Sequence, residues 1–252
     1  MPSQAIRFPA AQGHELAARL ELPEGEPRAY ALFAHCFTCS KDSKASVYIS
    51  QALAARGIGV LRFDFTGLGM SDGDFADSNF SSNVGDVVAA AEYLRERQKA
   101  PRLLVGHSLG GAAVLASAAG IAEARAVATI GAPFEPRHVE GLLLHGKEEI
   151  LAAGEAKVDI GGRPFTIRRQ FLEDLERQEP AKRIGELRKS LLLMHSPRDT
   201  VVDIDNATRI FIAAKHPKSF VSLERADHLL TRAEDAAYAA EVLCAWSSRY
   251  IA

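Results

Sequence analysis

The residues best suited to covalent chemistry surround Ser108. The segment Gly106-His107-Ser108-Leu109-Gly110 matches the pattern G-x-S-x-G, in which a serine occupies a sharp turn between a strand and a helix. An apolar run, Leu103 to Val105, precedes the segment, and an alanine-rich run, Ala112 to Ala119, follows it. Glycines suit both sides of the serine because side chains there would collide with the neighbouring strand and helix. The pattern therefore predicts a nucleophilic serine above a helix N-terminus, which favours developing negative charge.

A serine hydroxyl is a weak nucleophile and needs a neighbouring base, which a third group orients. When the serine lies on such a strand-to-helix turn, the acid follows it along the chain and the histidine comes last. Asp199 lies just after the apolar run Leu191 to Met194, and His228 follows the last apolar run. Asp203 and Asp205 are alternative acids, although Asp205 also fits a helix cap. The serine, Asp199 and His228 are therefore the predicted catalytic residues.

Acyl transfer also needs hydrogen-bond donors for the carbonyl oxygen that becomes negatively charged. One donor is expected to be the backbone N–H of Leu109, which follows the nucleophile. The second is expected from the loop after the apolar run Tyr30 to Ala34, and the candidate there is the backbone N–H of Phe37. These donors complete a predicted site for attack on an ester carbonyl and hydrolysis of the resulting acyl-enzyme.

Short apolar runs bounded by turn residues precede these positions and indicate strands buried on both faces of a parallel sheet. Runs with apolar residues at spacings of three and four alternate with them and indicate helices. This alternation predicts an α/β fold with a mostly parallel central sheet flanked by helices. Residues 4–8 and 15–22 flank Gly13 and predict an antiparallel hairpin at the sheet edge. The other predicted strands are residues 30–34, 59–63, 103–105, 126–130, 191–194 and 218–223. The predicted helices outside the region discussed next are residues 47–54, 84–94, 112–119, 207–214 and 236–246.

One region is longer than a strand-to-strand connection requires. Residues 134–189 contain two predicted helices, 139–152 and 169–177, and a predicted hairpin around Gly161-Gly162. Long insertions in compact domains are usually functional and often act as lids. The prediction is a cap or lid formed by residues 134–189 on a core formed by residues 1–133 and 190–252.

The three cysteines are Cys36, Cys39 and Cys244. An odd, small number argues against a disulfide framework and fits a reducing compartment. Cys36 and Cys39 form a C-x-x-C pair without the second pair or the histidines of a zinc site, so no metal is predicted. Two packed thiols are expected there, and a redox switch in the candidate oxyanion loop is the alternative. Because no phosphate-binding glycine pattern is present, no cofactor is predicted.

Composition excludes several other classes of protein. The chain has 252 residues, of which 47% are hydrophobic and 25% charged, values that are ordinary for a globular protein. The 30 basic and 32 acidic residues give a net charge of −2, and no basic block indicates nucleic-acid binding. No apolar run is long enough to span a bilayer, and the N-terminal residues lack the apolar core of a signal peptide. A cytoplasmic location is therefore expected.

Three stretches resemble the α/β-hydrolase superfamily, in the serine-hydrolase branch that includes monoglyceride-lipase-like enzymes. They are His35 to Asp42, Leu61 to Ser71 and Gly106 to Gly111. The resemblance implies the α/β-hydrolase fold, with the cap inserted between strands 6 and 7 of the sheet. It also implies the same serine, aspartate and histidine that position along the chain predicts.

A closer resemblance is to the hydrolase half of bacterial proteins in which such a hydrolase is fused to an OsmC-like peroxide-reducing domain. Ala34 to Asp42, Ala128 to Pro133 and Ala226 to Leu230 carry it. The sequence departs from the superfamily pattern at Cys36, where the oxyanion loop usually has glycine. The chain ends soon after Trp246 without an OsmC-like half, so a stand-alone relative or an excised domain is expected. The resemblance implies a functional link to such a peroxide-reducing domain.

The resulting hypothesis is a carboxylesterase-like serine hydrolase that acts on a small-molecule ester. A thioesterase or an acyltransferase would use the same residues and remains open. A non-catalytic ligand-binding module and a redox-partner module are the alternatives from other functional classes. Nothing in the sequence indicates an oligomeric state.

Overall fold

The computed structural model describes residues 2–143 and 146–251. Within these ranges, eight strands form one sheet and two more form a separate hairpin. The strands, in chain order, are β1 (Ser3–Pro9), β2 (Glu15–Glu21), β3 (Ala29–Ala34), β4 (Ile58–Phe63), β5 (Leu103–His107), β6 (Ala126–Ile130), β7 (Glu155–Ile160), β8 (Arg163–Arg168), β9 (Ser190–His195) and β10 (Lys218–Ser222).

The main sheet has the strand order β1-β2-β4-β3-β5-β6-β9-β10. The six strands from β4 to β10 in this order are parallel, because each pairs in parallel with its neighbour. Strands β1 and β2 pair antiparallel and add the expected hairpin at one edge, where β2 pairs antiparallel with β4. The predicted α/β-hydrolase fold with a mostly parallel sheet is therefore confirmed.

Helices cover both faces of the sheet. The α-helices are α1 (Lys44–Ala55), α2 (Phe80–Arg97), α3 (Leu109–Ser117), α4 (Lys147–Ala153), α5 (Arg169–Glu176), α6 (Pro180–Gly185), α7 (Asp205–Ala213) and α8 (Ala233–Ser247). Helices α1 and α8 supply apolar side chains to the core on one face, and α2, α3 and α7 supply them to the core on the other.

The two cores exist because successive side chains of a strand point to opposite faces. In β3, Leu32 joins the core beneath α2 and α3, whereas Phe33 joins the core beneath α1 and α8. Leu104 and Val105 of β5 divide in the same way. Burying each such side chain stabilises the fold by about 1.5–3 kcal/mol, so the strands that carry the site are rigidly held.

The insertion lies between β6 and β9, the sixth and seventh strands of the main sheet. It contains a 3₁₀ segment (Pro136–Leu143), α4, the antiparallel hairpin of β7 and β8, α5 and α6. The expected single helix over residues 139–152 is instead divided between the 3₁₀ segment and α4. Gly141 and Gly146 fall within that span, and glycine weakens a continuous helix. Leu144 and His145 of the expected helix, like residues 1 and 252 of the expected core, lie outside the described residues.

The insertion packs on the same face of the sheet as α2 and α3. Its apolar side chains, including Phe165, Phe171 and Leu175, belong to the core on that face. Polar contacts tie it to the start of α2, because Ser81 N–H donates to Asp174 Oδ2 over 2.8 Å. Gln170 adds a 2.8 Å hydrogen bond from Nε2 to the Ser78 carbonyl. The insertion is thus fixed to the core at its α5 end.

No helix in the described part of the chain is long and apolar enough to cross a bilayer.

Candidate active site

Ser108 occupies the turn between β5 and α3, as the G-x-S-x-G pattern predicts. Its backbone has φ 54° and ψ −126°, a conformation that costs a non-glycine residue about 1–3 kcal/mol. A side chain at Gly106 would place its Cβ 2.3 Å from the Gly110 carbonyl oxygen, and one at Gly110 would place it 2.3 Å from the His35 carbonyl oxygen. The close approach of these backbones therefore requires both glycines and holds the serine in its strained turn.

The structure brings the three predicted residues together. His228, in the loop after β10, has Nε2 2.9 Å from Ser108 Oγ. Its Nδ1 lies 2.7 Å from Oδ2 of Asp199, which follows β9. An ionised carboxylate only accepts hydrogen bonds, so Nδ1 of His228 carries the proton and Nε2 is free to accept from the serine hydroxyl. The geometry can therefore transfer a proton from Ser108 to His228.

Asp199 is oriented by the backbone as well as by the imidazole. Its Oδ1 accepts hydrogen bonds from the N–H groups of Val201 and Val202, each over 2.9 Å. Burial opposes ionisation of the carboxyl, but hydrogen bonds from His228 and these amides hold the pKa of Asp199 below its ordinary value. The carboxylate is thus negatively charged at neutral pH and faces the imidazole with one fixed oxygen.

The alternative acids have a different role. Asp203 Oδ1 accepts a hydrogen bond from the Asp205 N–H over 2.8 Å at the start of α7. Asp205 is the first residue of that helix and carries no side-chain cap. The N-cap residue is Ile204, so the capping role expected of Asp205 is not found, and Asp203 instead forms a turn onto the first amide of the helix.

Two further histidines are buried against the hydrogen-bonded array of Ser108, His228 and Asp199, called the array below. His195 has Nε2 2.8 Å from the Val202 carbonyl oxygen, and His107 has Nε2 2.6 Å from the His228 carbonyl oxygen. Burial is the main cause that lowers the pKa of both, to about 4 for His107. Both rings are therefore neutral at neutral pH, and each donates one hydrogen bond to a loop that carries a member of the array.

The loop after β3 contains the candidate oxyanion donor Phe37. Cys36 and Cys39 are joined by a disulfide, which corrects the expectation of two packed thiols. The reason is a tight turn, in which Cys39 N–H donates to the Cys36 carbonyl and the two Cα atoms lie 5.3 Å apart, within disulfide range. Thr38, inside this turn, has φ 60°. The loop is therefore cross-linked around Phe37.

Both candidate oxyanion donors are free in the described part of the chain. There, neither the Phe37 N–H nor the Leu109 N–H donates to a protein acceptor. Leu109 opens α3, whose first amides have no partner within the helix. Two free donors on the loops that flank Ser108 are what binding of a developing oxyanion requires.

An aspartate without a predicted role anchors this loop. Asp64, fully buried after β4, accepts hydrogen bonds from the Lys41 N–H and from Lys41 Nζ over 2.6 and 2.7 Å. It also accepts from the Met70 N–H over 2.9 Å. The side chain thus joins the end of the oxyanion loop to the next loop along the sheet edge. The stretch Leu61 to Ser71 contains this residue, but the sequence pattern assigns it no partner.

Gly131 is a second residue that the sequence does not single out. It has φ +55°, and a Cβ built on it would lie 3.2 Å from Asp199 Oδ2 and 3.4 Å from His228 Nδ1. A side chain here would therefore press on the Asp199–His228 hydrogen bond. The feature that could have identified Gly131 is its position directly after β6, between the loops that carry Ser108 and Asp199.

Part of the insertion covers the oxyanion loop. The Phe37 ring lies 5.6 Å from the ring of Phe75 and 5.8 Å from that of Phe171, and Phe75 lies 4.8 Å from Phe165 (centroid distances). Ser108 and His228 retain only 8% and 9% of their exposure. Ser108 and His228 are therefore largely buried, and the insertion contributes Phe171 beside Phe37 and Phe165 beside Phe75.

A polar contact accompanies these rings, because Arg163 Nη1 donates to the Thr38 carbonyl over 3.1 Å. Arg163 also stacks over Phe165, 5.3 Å from the ring centroid. Across the described residues, no group of three or more histidine, cysteine, aspartate or glutamate side chains has an arrangement that would hold a metal ion.

Comparisons with known proteins identify the family and the fold of the chain. The model of a protein family described as the alpha/beta hydrolase family matches residues 31–241. The esterase domain of a Rhodothermus marinus protein is 50% identical, with a TM-score of 0.82 and complete coverage of both chains. Est1E from Butyrivibrio proteoclasticus, solved with ferulic acid bound, shares the fold at 19% identity, with a TM-score of 0.81 over 98% of this chain and 99% of its own.

A mitochondrial palmitoyl-protein thioesterase, ABHD10 of Rattus norvegicus, is 31% identical over 100 residues. That match spans 40% of this chain and 32% of the rat protein, so the chain covers about a third of that curated relative.

Proposed function

The chain belongs to the alpha/beta hydrolase family, and from this we propose that it is a serine hydrolase that cleaves carboxylic esters. The observation that carries the proposal is the hydrogen-bonded array from Ser108 Oγ through His228 to Asp199, with distances of 2.9 and 2.7 Å. The similarity to a bacterial esterase domain over the whole chain supports it.

Acylation begins when Ser108 Oγ attacks the ester carbonyl carbon and His228 Nε2 takes the hydroxyl proton. The Asp199 carboxylate stabilises the imidazolium and keeps its Nδ1 proton in place. The carbonyl oxygen becomes an oxyanion and accepts hydrogen bonds from the N–H groups of Phe37 and Leu109. As the tetrahedral intermediate collapses, His228 protonates the leaving alcohol and the acyl group stays on Ser108.

Deacylation repeats these steps with water. His228 takes a proton from a water molecule, which attacks the acyl carbonyl carbon, and the same backbone donors hold the second oxyanion. The bond to Ser108 Oγ breaks, His228 returns the proton to the serine, and a carboxylic acid leaves. The charge on Asp199 is unchanged throughout, which fits a carboxyl whose pKa lies below its ordinary value.

Residues 134–189 form the cap in this proposal. The cap is proposed to limit access to Ser108, which is largely buried, as is His228. Phe171 packs on Phe37 of the oxyanion loop and Phe165 packs on the adjacent Phe75, so in this proposal the hairpin and α5 are the parts of the cap nearest to the acyl group. An enclosed site with aromatic walls favours small or medium-sized uncharged acyl groups.

Thioester hydrolysis is the second candidate function. The observation that favours it is the similarity to a curated palmitoyl-protein thioesterase. The same array would attack a thioester carbonyl, with a thiolate as leaving group. Hydrolysis rates for an oxygen ester and a thioester with the same acyl group distinguish the two functions, and added alcohols reveal acyl transfer.

The expected link to an OsmC-like peroxide-reducing domain remains a prediction. The Cys36–Cys39 disulfide is the feature on which a redox partner would act, because it encloses the candidate donor Phe37. If the chain is a redox-partner module, oxidants and reductants should alter its activity. Activity that is the same with both would exclude that function.

A fluorescent fluorophosphonate tests the proposed nucleophile, because it reacts covalently with activated serines. Ser108→Ala is expected to abolish both labelling and hydrolysis of p-nitrophenyl esters. Ser117→Ala, a buried serine at the other end of α3, is the matched control and is expected to leave both unchanged. Equal labelling of the Ser108→Ala protein would overturn the proposal, and no labelling of folded native protein would favour a ligand-binding module.

A further inference from the structure

His107 directly precedes the nucleophile, at a position where the G-x-S-x-G pattern accepts any residue. Its ring is 2% exposed, and Nε2 lies 2.6 Å from the backbone carbonyl oxygen of His228. A carbonyl can only accept, so His107 donates its Nε2 proton. The rings of the two histidines also face each other, with 5.3 Å between centroids.

This hydrogen bond is the main backbone restraint on the loop that carries the base. Among the described residues, the backbone groups of 226–231 otherwise bond only within residues 223–231. Leu230 N–H donates to the Asp227 carbonyl, for example, and Thr231 N–H donates to the Asp227 side chain. In the described part of the chain, His107 alone joins this backbone by a hydrogen bond to β5, the strand that precedes Ser108.

Packing holds the two ends of the loop, because Ala226 and Leu230 are buried in the core beneath α1 and α8, but it does not hold the middle. A cavity of about 150 Å³ lies beside His107, Leu229 and Thr231. Leu229, next to the base, is also half exposed. The middle of the loop, which carries His228, therefore has space to shift if the hydrogen bond is lost.

From these contacts we propose that His107 is a positioning residue, which fixes the His228 imidazole at proton-transfer distance from Ser108 by donating to the His228 backbone carbonyl. This inference rests on the proposed function. Burial, and then the neighbouring His228, lower the pKa of His107 to about 4. The ring therefore stays neutral, donates one hydrogen bond, and adds no repulsion when His228 becomes an imidazolium.

Two substitutions separate the hydrogen bond from the volume of the ring. His107→Gln keeps a donor, because the Gln Nε2 amide occupies nearly the same place as the imidazole Nε2. His107→Met keeps a similar volume and removes the donor. We expect kcat for ester hydrolysis to fall about 10-fold to 10²-fold in His107→Met, with KM little changed, and to recover in His107→Gln.

A readout without turnover keeps the inference separate from the proposed function. The proton between His228 Nδ1 and Asp199 gives a downfield ¹H resonance when the imidazole is held in place. We expect it to broaden or move in His107→Met and to return in His107→Gln, while thermal unfolding confirms that both variants fold. If both variants keep the native resonance and kcat, or if His107→Gln is as impaired as His107→Met, the positioning role is wrong. Native protein that shows the resonance but is inert to fluorophosphonate would contradict the proposed function and not the positioning role.

Discussion

Asp199 accepts the His228 Nδ1 proton with one carboxylate oxygen while two backbone amides hold the other. The Oδ2–Nδ1 distance is 2.7 Å, and the Val201 and Val202 N–H groups each lie 2.9 Å from Oδ1. The carboxylate therefore cannot rotate without breaking two backbone hydrogen bonds. This arrangement fixes which nitrogen of His228 carries the proton.

Asp199→Asn is expected to lower kcat at least about 10²-fold without unfolding the protein. The Asn amide can donate to Nδ1, which moves the imidazole proton to Nε2, where it no longer accepts from Ser108. Steady-state hydrolysis of a p-nitrophenyl ester measures the effect. Asp203→Asn is the control, because Asp203 bonds to the Asp205 N–H in the turn before α7 and lies outside the array. A comparable loss of kcat in both variants would refute a specific role for Asp199.

Gly131→Ala is expected to lower kcat about 10-fold, because its Cβ would press on the Asp199–His228 hydrogen bond from 3.2 and 3.4 Å. The positive φ of Gly131 adds a stability cost of about 1–2 kcal/mol. Gly13→Ala, at φ +88° with nothing within 4 Å, carries the backbone strain without the contact. Urea unfolding and kcat measured on both variants separate strain from catalysis. The steric explanation fails if the two variants lose stability alike and keep equal kcat.

Reduction of the Cys36–Cys39 disulfide is expected to lower kcat about 10-fold or more, because the cross-link that holds the loop around the Phe37 N–H is lost. The largest decrease in kcat expected is that for loss of one oxyanion donor, about 10²-fold to 10³-fold. Treatment with a phosphine should raise the number of free thiols from one to three. Cys244→Ser, which removes the buried free cysteine, serves as a control with the disulfide intact. Full kcat in protein shown to contain three free thiols would exclude a contribution from the disulfide.

Arg163→Ala is expected to change KM for esters about 2-fold to 10-fold, the range for loss of one hydrogen bond, while kcat changes less. The reason is that Arg163 connects the insertion to the oxyanion loop through the Thr38 carbonyl. Arg169→Ala is the matched control, because Arg169 Nη2 donates to the Leu151 carbonyl within the insertion itself. A panel of p-nitrophenyl esters of increasing chain length shows whether the effect depends on acyl size. Equal KM changes in both variants would argue against a specific contact.

Asp86 is expected to make stability depend on pH. Burial raises the pKa of this carboxyl from 3.8 to about 6, against opposing hydrogen bonds from Thr66. A raised folded-state pKa stabilises the fold below the unfolded-state value and loses that contribution as pH rises through about 6. Relative to Asp86→Asn, the native protein should lose about 2 kcal/mol between pH 4 and pH 7. Urea unfolding of both proteins across this range checks the slope. A difference in unfolding free energy that is constant with pH would show that the pKa of Asp86 is not raised.

The sequence predicts the sheet well because its strands are short apolar runs between turn residues. Every strand of the main sheet lies within a few residues of its expected place, and Ser108, Asp199 and His228 all follow strand ends. Parallel strands carry their carboxyl ends to one edge, so position along the chain suffices to bring these three residues together. The local pattern therefore contains most of the information about the array.

Features that depend on contacts between distant segments could not be predicted from the sequence. The role of Gly131 follows from its distance to Asp199 and His228, and no local pattern records that distance. The Cys36–Cys39 disulfide depends on a turn whose backbone the C-x-x-C spacing alone does not define. The helix expected over residues 139–152 was wrong because glycines within it outweigh the apolar periodicity.

The distribution of the array along the chain has a consequence for synthesis. Ser108 and His228 are 120 positions apart, and the loop with His228 follows the last strand of the sheet. Domains fold from the N-terminus as the ribosome adds about 5–20 residues per second, so the strand that ends at the serine is made well before the base emerges. A growing chain therefore passes through a long interval in which the serine has no partner. Under the proposed function, the serine therefore becomes reactive only after the final strand has paired, and ester hydrolysis would report that step of folding.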